Sequence, residues 1–145
     1  MRKVLILWCS IGIPFSSYSG VFTEKNTCFE AHEKNVIFLP NETDPYTGIY
    51  LCKFENGQKE REGNYLNGKF DGRWTTWYES GLKKSEANYK NGKLDGRAIW
   101  WSKRGQKIRQ KQYSSGKLDG KLIEWFQSSG EIKREENYKN GKILF

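Results

Sequence analysis

Two kinds of short segment alternate along residues 69–139. One kind is rich in aromatic and β-branched residues, as in residues 73–78 and 121–126, and such residues are typical of β-strands. The other kind is polar and ends in a tyrosine, as in residues 83–89. Glycine-containing pairs separate the segments, and this arrangement predicts consecutive β-hairpins.

The segments belong to an internal repeat of about 24 residues. Tyr65, Tyr89 and Tyr113 are 24 residues apart, and Tyr138 follows after 25. Two series of glycines keep the same period: Gly48, Gly72, Gly96 and Gly120, and Gly68, Gly92, Gly116 and Gly141. The extra residue lies between Gly120 and Gly130, where a turn can accept it. Four copies result, at about residues 48–71, 72–95, 96–119 and 120–145.

The turn residues predict the register of the strands. Asn-Gly pairs favour two-residue primed turns, and they occur at residues 56–57, 67–68, 91–92 and 140–141. Such a turn places Tyr65 opposite Phe70 and Glu62 opposite Arg73. The same rule gives the aromatic–apolar pairs Tyr89–Leu94 and Tyr113–Leu118, and the polar pairs Glu86–Arg97 and Gln110–Lys121.

These elements predict an all-β fold, an elongated antiparallel meander of four tandem hairpin repeats in a mostly single-layer twisted sheet. Two strands per copy advance the sheet by roughly 10 Å, so the ribbon is about 40 Å long. The third copy has Ala98 where the second has Trp74, and Ser102 where the second has Tyr78. We expect this copy to be the least stable, because it gives up the burial of two large side chains.

The repeat resembles the MORN-repeat variant of bacteria. The likeness rests on Asn-Gly-Lys-Phe-Asp-Gly-Arg-Trp at residues 67–74, continued by Trp77, Tyr78, Gly81 and Lys83. Pro-Tyr-Thr-Gly at residues 45–48 is similar to the start of the first repeat in YwqK-family antitoxins. The resemblance covers about residues 36–145, and it implies a repeat protein with an antitoxin-like role.

The first residues have the pattern of an export signal. Arg2 and Lys3 precede an apolar run from Val4 to Phe15, and small residues follow. This pattern predicts a signal peptide at residues 1–19, cleaved after Ser19, and hence a periplasmic, cell-surface or secreted protein. An uncleaved inner-membrane anchor and a buried N-terminal strand are the alternatives. Residues 20–46 then form a lead-in or cap, and residues 47–145 form the repeat domain.

Two cysteines, Cys28 and Cys52, remain after such a cleavage removes Cys9. An even number of cysteines in an oxidising compartment favours a disulfide between them. The alternative is two separate buried thiols.

The composition argues against catalysis. The chain has one histidine, His32, and no pairing of it with a nucleophile is indicated. Asp71, Asp95 and Asp119 each precede a glycine, but they lie a repeat apart and cannot share a calcium ion, so turn geometry is their expected role. We expect no enzyme activity, no cofactor and no metal.

The candidate site is a surface. Trp77, Trp101 and Trp125 share one repeat position, and the predicted register puts Lys84 opposite Trp77 and Arg61 beside Trp74 for cation–π contacts. The candidate binding face comprises Arg61, Trp74, Trp77, Tyr78, Lys84, Trp100, Trp101 and Trp125. The alternative is that these rings only cover the sheet.

The charge distribution gives two hypotheses for the partner. Residues 48–145 contain 21 Lys and Arg against 12 Asp and Glu, a net charge of +9. The first hypothesis is a protein-interaction module of the cell envelope, with an unidentified protein partner. The second is a peripheral binder of anionic membrane lipid or envelope polymer. Nucleic acid is an unlikely partner for an exported chain.

Overall fold

The computed structural model describes residues 3–4, 32–33, 36–38 and 42–145. Within these ranges the only regular elements are β-strands. Most of the predicted signal segment, including Ser19, lies outside the described residues, and so does Cys28. The signal, its cleavage and the disulfide therefore stay predictions.

Most of the described strands belong to one open sheet, in which the strands of the repeats follow each other in sequence. Three short strands come first, β1 Lys3–Val4, β2 His32–Glu33 and β3 Val36–Ile37. The repeats supply β4 Gly48–Lys53, β5 Lys59–Leu66, β6 Lys69–Trp77, β7 Lys83–Lys90, β8 Lys93–Trp101, β9 Lys107–Ser114, β10 Lys117–Trp125, β11 Ile132–Lys139 and β12 Lys142–Leu144. Strands β4 to β12 form an antiparallel meander, which confirms the predicted fold class. Strand β1 adds to β4 in parallel, and β2 pairs with β3 separately.

Primed turns join neighbouring strands along one side of the sheet, as predicted. Asn67, Asn91, Ser115 and Asn140 have φ values of 49°, 51°, 49° and 50°, and the glycine after each also has positive φ. Two consecutive residues with positive φ define the type I′ turn, whose twist matches that of the strands. We call this side of the sheet the turn edge.

The hairpins at the opposite edge, which we call the loop edge, have a different turn. The prediction of a primed turn at Asn56-Gly57 was wrong, because only Gly57 has positive φ there. Gly57 N donates to Phe54 O (2.9 Å), and Phe54 N donates to Gln58 O (2.8 Å). This is a type I turn closed by a left-handed glycine, the usual three- to five-residue hairpin. The extra residue of the fourth copy lies in the corresponding loop, where Gly130 N donates to Phe126 O (2.9 Å).

The predicted register is correct next to the primed turns and wrong beyond them. Tyr65 lies opposite Phe70, Tyr89 opposite Leu94, and Tyr113 opposite Leu118. The predicted polar partners differ from those observed, because Glu62 lies opposite Thr75, Glu86 opposite Ile99, and Gln110 opposite Ile123.

A two-residue bulge in each aromatic strand causes this shift. In β6 it follows Asp71, where Gly72 has a φ of 81°, and the equivalent Gly96 and Gly120 have φ values of 106° and 118°. Only glycine adopts such values readily, so the glycine that follows each aspartate is what permits the bulge.

The core lies at the start of the sheet. Its buried residues are Ile37, Tyr46, Tyr50, Cys52, Tyr65 and Trp74, and Phe70 and Tyr89 pack against them. Ile37 N donates to Gly68 O (2.9 Å), so the segment before the repeats covers the first primed turn. Beyond this cluster the buried hydrophobic residues are Ala87, Ala98, Ile99 and Leu122, so aliphatic side chains take over from the aromatic rings.

Candidate binding faces

The sheet has two faces with different chemistry. Register and strand alternation place Tyr65, Tyr89, Tyr113 and Tyr138 on one face, which we call the tyrosine face. The other carries Trp77, Trp101 and Trp125, the first two next to lysines of neighbouring strands, and we call it the lysine–tryptophan face. The candidate residues predicted as one binding face are therefore divided between two, because Trp74 and Trp100 lie on the tyrosine face.

Aromatic packing dominates the first half of the tyrosine face. The rings of Phe70 and Trp74 have centroids 4.3 Å apart, and those of Tyr65 and Trp74 are 5.0 Å apart. Burial raises the pKa of Tyr65 and Tyr50, and the Glu60 carboxylate adds to the rise for Tyr50. Burial raises the pKa of Tyr89 as well. These phenols stay neutral and serve as packing groups.

Trp74 packs on a glycine. Its indole lies over Gly63, where a Cβ atom would stand 2.7 Å from Trp74 Cγ and closer still to Cδ2 and Cε2. Trp74 Nε1 donates to Asn64 O (2.9 Å), which fixes the ring. Arg61 lies further along β5, opposite Thr76 and Cys52, with its Nε 3.6 Å from Glu60 Oε1. The expected cation–π contact between Arg61 and Trp74 stays a prediction.

Lysine, glutamate and tryptophan form a repeating unit on the lysine–tryptophan face. Lys59 Nζ is 2.9 Å from Glu62 Oε2 and 5.6 Å from the centroid of the Trp77 ring. One repeat later, Lys83 Nζ is 2.7 Å from Glu86 Oε2 and 5.7 Å from the Trp101 ring. Each lysine thus contacts the indole of the following aromatic strand. An open groove of about 590 Å³ lies here, lined by Thr75, Trp77 and Lys83 among others.

The expected contact of Lys84 with Trp77 was wrong. Lys83 is the register partner of Trp77, because a one-residue bulge follows Thr76. Lys84 Nζ instead lies 6.0 Å from the ring of Tyr78, whose hydroxyl donates to Trp101 O (2.8 Å). Sequence reasoning could not place this bulge, since nothing in the turn residues marks it.

The unit is incomplete in the third copy. Gln110 stands where the earlier copies have Glu62 and Glu86. Lys107 faces Trp101 across the strands, and it has no ion pair among residues 42–145. An exposed cation beside a half-buried indole therefore remains on this face.

The three repeated aspartates order the turn edge, as expected from their positions. Asp71 Oδ2 accepts from Asn91 N (3.2 Å), Asp95 Oδ2 from Ser115 N (3.0 Å), and Asp119 Oδ2 from Asn140 N (3.3 Å). Each carboxylate thus holds the primed turn of the next copy. Lys139 Nζ donates to Asp119 Oδ1 (3.0 Å), and this contact holds the pKa of that carboxyl below its usual value.

Thr47 has the same role in the first copy, although it was not among the residues predicted to order a turn. Its Oγ1 accepts from Asn67 N (2.8 Å), and it stands 24 residues before Asp71. The first glycine series indicates this role, because Thr47 precedes Gly48 as Asp71 precedes Gly72.

Basic side chains collect beside the turn edge. Register places these side chains on the lysine–tryptophan face: Lys69, Arg73, Lys90, Lys93, Arg97, Lys117, Lys121, Lys139 and Lys142. Lys69 is half-buried, and the others are exposed. Arg73 and Arg97 have no ion pair within the described part of the chain.

Two further features bear on the chemistry. Across the described ranges, no three His, Cys, Asp or Glu side chains are grouped so that they could hold a metal ion. The described residues also include no helix of the length and apolarity that a membrane span needs.

Comparison with known families finds a similarity for three of the four copies. The sequence model of a family described as MORN repeat variant matches residues 46–67, 70–91 and 120–140. The third copy lies between the second and third matches, and it is the copy with Ala98 and Ser102. The comparison with curated proteins gave no match. The chain is thus a β-sheet repeat protein, and three of its four copies are similar to the MORN repeat variant.

Proposed function

We propose that the chain is an exported, non-enzymatic binding protein that contacts a partner protein of the cell envelope through the lysine–tryptophan face. The observation that carries this proposal is the row of indoles and lysines along one open face, with its groove of about 590 Å³. Aromatic residues and arginine are enriched at protein interfaces, where a few such side chains supply most of the binding free energy. An immunity-like role, in which binding neutralises the partner, accords with the resemblance to the antitoxin family.

The export component rests on the N-terminal sequence. A basic start, a short apolar run and small residues precede Gly20. The non-enzymatic component rests on the chemistry of the repeats, whose aspartates accept backbone hydrogen bonds and whose buried tyrosines are held neutral.

The second candidate function is binding to anionic lipid or envelope polymer. The exposed basic side chains beside the turn edge favour it, because each Lys or Arg near an anionic surface contributes about 1 kcal/mol. Such binding is strongly sensitive to salt, since the charges are exposed.

Paired assays on residues 20–145 separate the two functions. Affinity capture from the host envelope should recover one stoichiometric protein, and Trp101→Ala should abolish that complex. Tyr113→Ala, which removes a ring from the tyrosine face, serves as the matched control and should leave the complex intact. Salt-sensitive flotation with anionic vesicles, lost in Arg73→Glu/Arg97→Glu and unaffected by Trp101→Ala, would instead support the lipid function.

A further inference from the structure

At the loop edge, one position of the repeat is aromatic in three copies and a serine in the other. Phe54, Tyr78 and Phe126 are aromatic, whereas Ser102 occupies the same position in the third copy. All four lie at intervals of 24 residues, directly after the aromatic strand.

Tyr78 shows what the aromatic ring does there. The ring extends from the second copy towards the third, and its hydroxyl donates to the carbonyl of Trp101 (2.8 Å). Trp125 lies 24 residues after Trp101, so its carbonyl is the equivalent acceptor for a ring at position 102. A serine side chain is too short to span this gap.

A cavity of about 490 Å³ lies where the ring is missing. Its lining includes Tyr78, Ser102, Lys103, Arg104, Ile108 and Gln127, and we call it the notch. A smaller cleft of about 230 Å³ adjoins it and shares Ile108 and Gln127. Cavities of 300–1,000 Å³ are typical of sites that bind small organic groups.

The serine hydroxyl is not needed to close its hairpin. Ser102 Oγ accepts from Arg104 N and Gln106 N (3.3 Å each). The backbone hydrogen bonds of this turn, from Ser102 N to Gln106 O and from Gly105 N to Ser102 O, also occur around Tyr78 without a serine. Turn geometry therefore does not account for the loss of the aromatic ring.

The rim of the notch is positively charged. Lys103 and Arg104 are exposed, and neither has an ion pair among residues 42–145. Lys133 lines the adjoining cleft, and the carboxylate there, Glu124, is already bound by Arg109 at 2.7 Å. A ligand that brings negative charge beside its ring is therefore favoured over a neutral or basic one.

We propose that the notch binds a tyrosine side chain flanked by acidic residues on a partner protein. The partner ring takes the place that Tyr78 takes in the preceding copy, and its hydroxyl reaches the Trp125 carbonyl. This site is distinct from the lysine–tryptophan face, so it adds a second contact and fixes the register of a partner along the sheet.

A peptide titration of the purified full-length protein tests the notch. The probe is a capped pentapeptide with a central tyrosine and aspartate or glutamate at the other four positions. We expect saturable NMR shift changes centred on Ser102, Ile108 and Gln127, and binding at least tenfold weaker when the peptide tyrosine is replaced by alanine. Uniform or absent shift changes would overturn the proposal.

Two variants make the test specific. Ser102→Tyr should fill the notch and weaken peptide binding at least tenfold, with the melting temperature kept or raised. Ser114→Tyr, which adds the same ring near the turn edge, should leave peptide binding unchanged. Unaltered binding by a folded Ser102→Tyr protein would overturn the proposal.

A charge reversal covers the case in which Ser102→Tyr does not fold. Arg104→Glu changes only an exposed side chain on the rim, and it should weaken binding of the acidic peptide at least threefold. Equal affinity in this variant would contradict the charge part of the proposal. Because the peptide assay needs no natural partner, its result is independent of whether the lysine–tryptophan face binds a protein.

Discussion

Gly63→Ala tests how the first half of the sheet is packed. Gly63 is buried, and its φ lies outside the left-handed region, so the backbone itself tolerates alanine. In an ordinary strand, replacing glycine by alanine would raise the free energy of unfolding by roughly 0.5–1 kcal/mol. Here the new Cβ would stand within 3.0 Å of three indole atoms of Trp74, which is closer than real Cβ contacts allow.

The expected net effect is a loss of about 2 kcal/mol in the free energy of unfolding. Overpacking of a core costs about 1–3 kcal/mol. The indole cannot move away without cost, because Trp74 is 7% exposed and donates to Asn64 O. A loss of this size lowers the melting temperature of a domain of about 100 residues by roughly 10 °C.

Urea denaturation followed by tryptophan fluorescence measures the effect, and a double-mutant cycle assigns it. Combined with Trp74→Ala, the Gly63→Ala exchange should become neutral or stabilising, because the ring it meets is gone. A Gly63→Ala protein as stable as the parent in the Trp74 background would refute the packing described here.

The next copy offers the matched comparison. Ala87 and Ala98 occupy the positions of Gly63 and Trp74, and Ala98 is fully buried. Ala98→Trp should therefore destabilise the protein by overpacking. Ala87→Gly added to Ala98→Trp should recover part of that loss, since it restores the glycine on which an indole can lie. An Ala98→Trp protein more stable than the parent would contradict this.

Four further results are expected. Asp95→Ala should cost about 0.5–1.5 kcal/mol in urea denaturation, because Ser115 N loses its acceptor, and Asp71→Ala should cost a similar amount. Burial raises the pKa values of Tyr50, Tyr65 and Tyr89 above the usual 10.0, so the contribution of these tyrosines to stability should be constant below about pH 10 and fall as the pH rises further, with their tyrosinate absorbance at 295 nm appearing together with unfolding. Thiol labelling of the exported protein under denaturing, non-reducing conditions should find Cys28 and Cys52 unreactive; two labelled cysteines would contradict the disulfide. The intact mass of protein from the host envelope should correspond to a chain that starts near Gly20, and a mass that includes residues 1–19 would contradict cleavage.

The sequence predicted the hairpins and their turns because these depend on neighbouring residues. Type I′ turns require positive φ at two residues, which Asn-Gly pairs adopt readily, and a 24-residue period repeats such a pair or its Ser-Gly equivalent along the chain, so the meander and the pair Tyr65–Phe70 follow directly. The partner of Glu62 could not be predicted in the same way. It depends on a bulge after Asp71 that Gly72 permits, and the turn residues from which the register was predicted do not reveal that bulge.

The candidate site was only partly predictable for a related reason. Trp77, Trp101 and Trp125 were placed together because they share a repeat position, and the structure gives them one face. Trp74 and Trp100 were assigned to the same surface by residue type alone, and strand alternation puts them on the other face. The replacement at Ser102 was visible in the sequence, but the cavity depends on how far the equivalent Tyr78 reaches between copies.

Site-specific photo-cross-linking in the host is the most direct test of the central claim that the lysine–tryptophan face binds a protein. Benzoylphenylalanine would replace Lys107, the cation beside Trp101 that has no ion pair among residues 42–145, and, in a control, Lys111 on the tyrosine face. We predict one discrete protein adduct at position 107 and none at position 111. Lipid adducts alone at position 107, or equal adducts at both positions, would contradict the account.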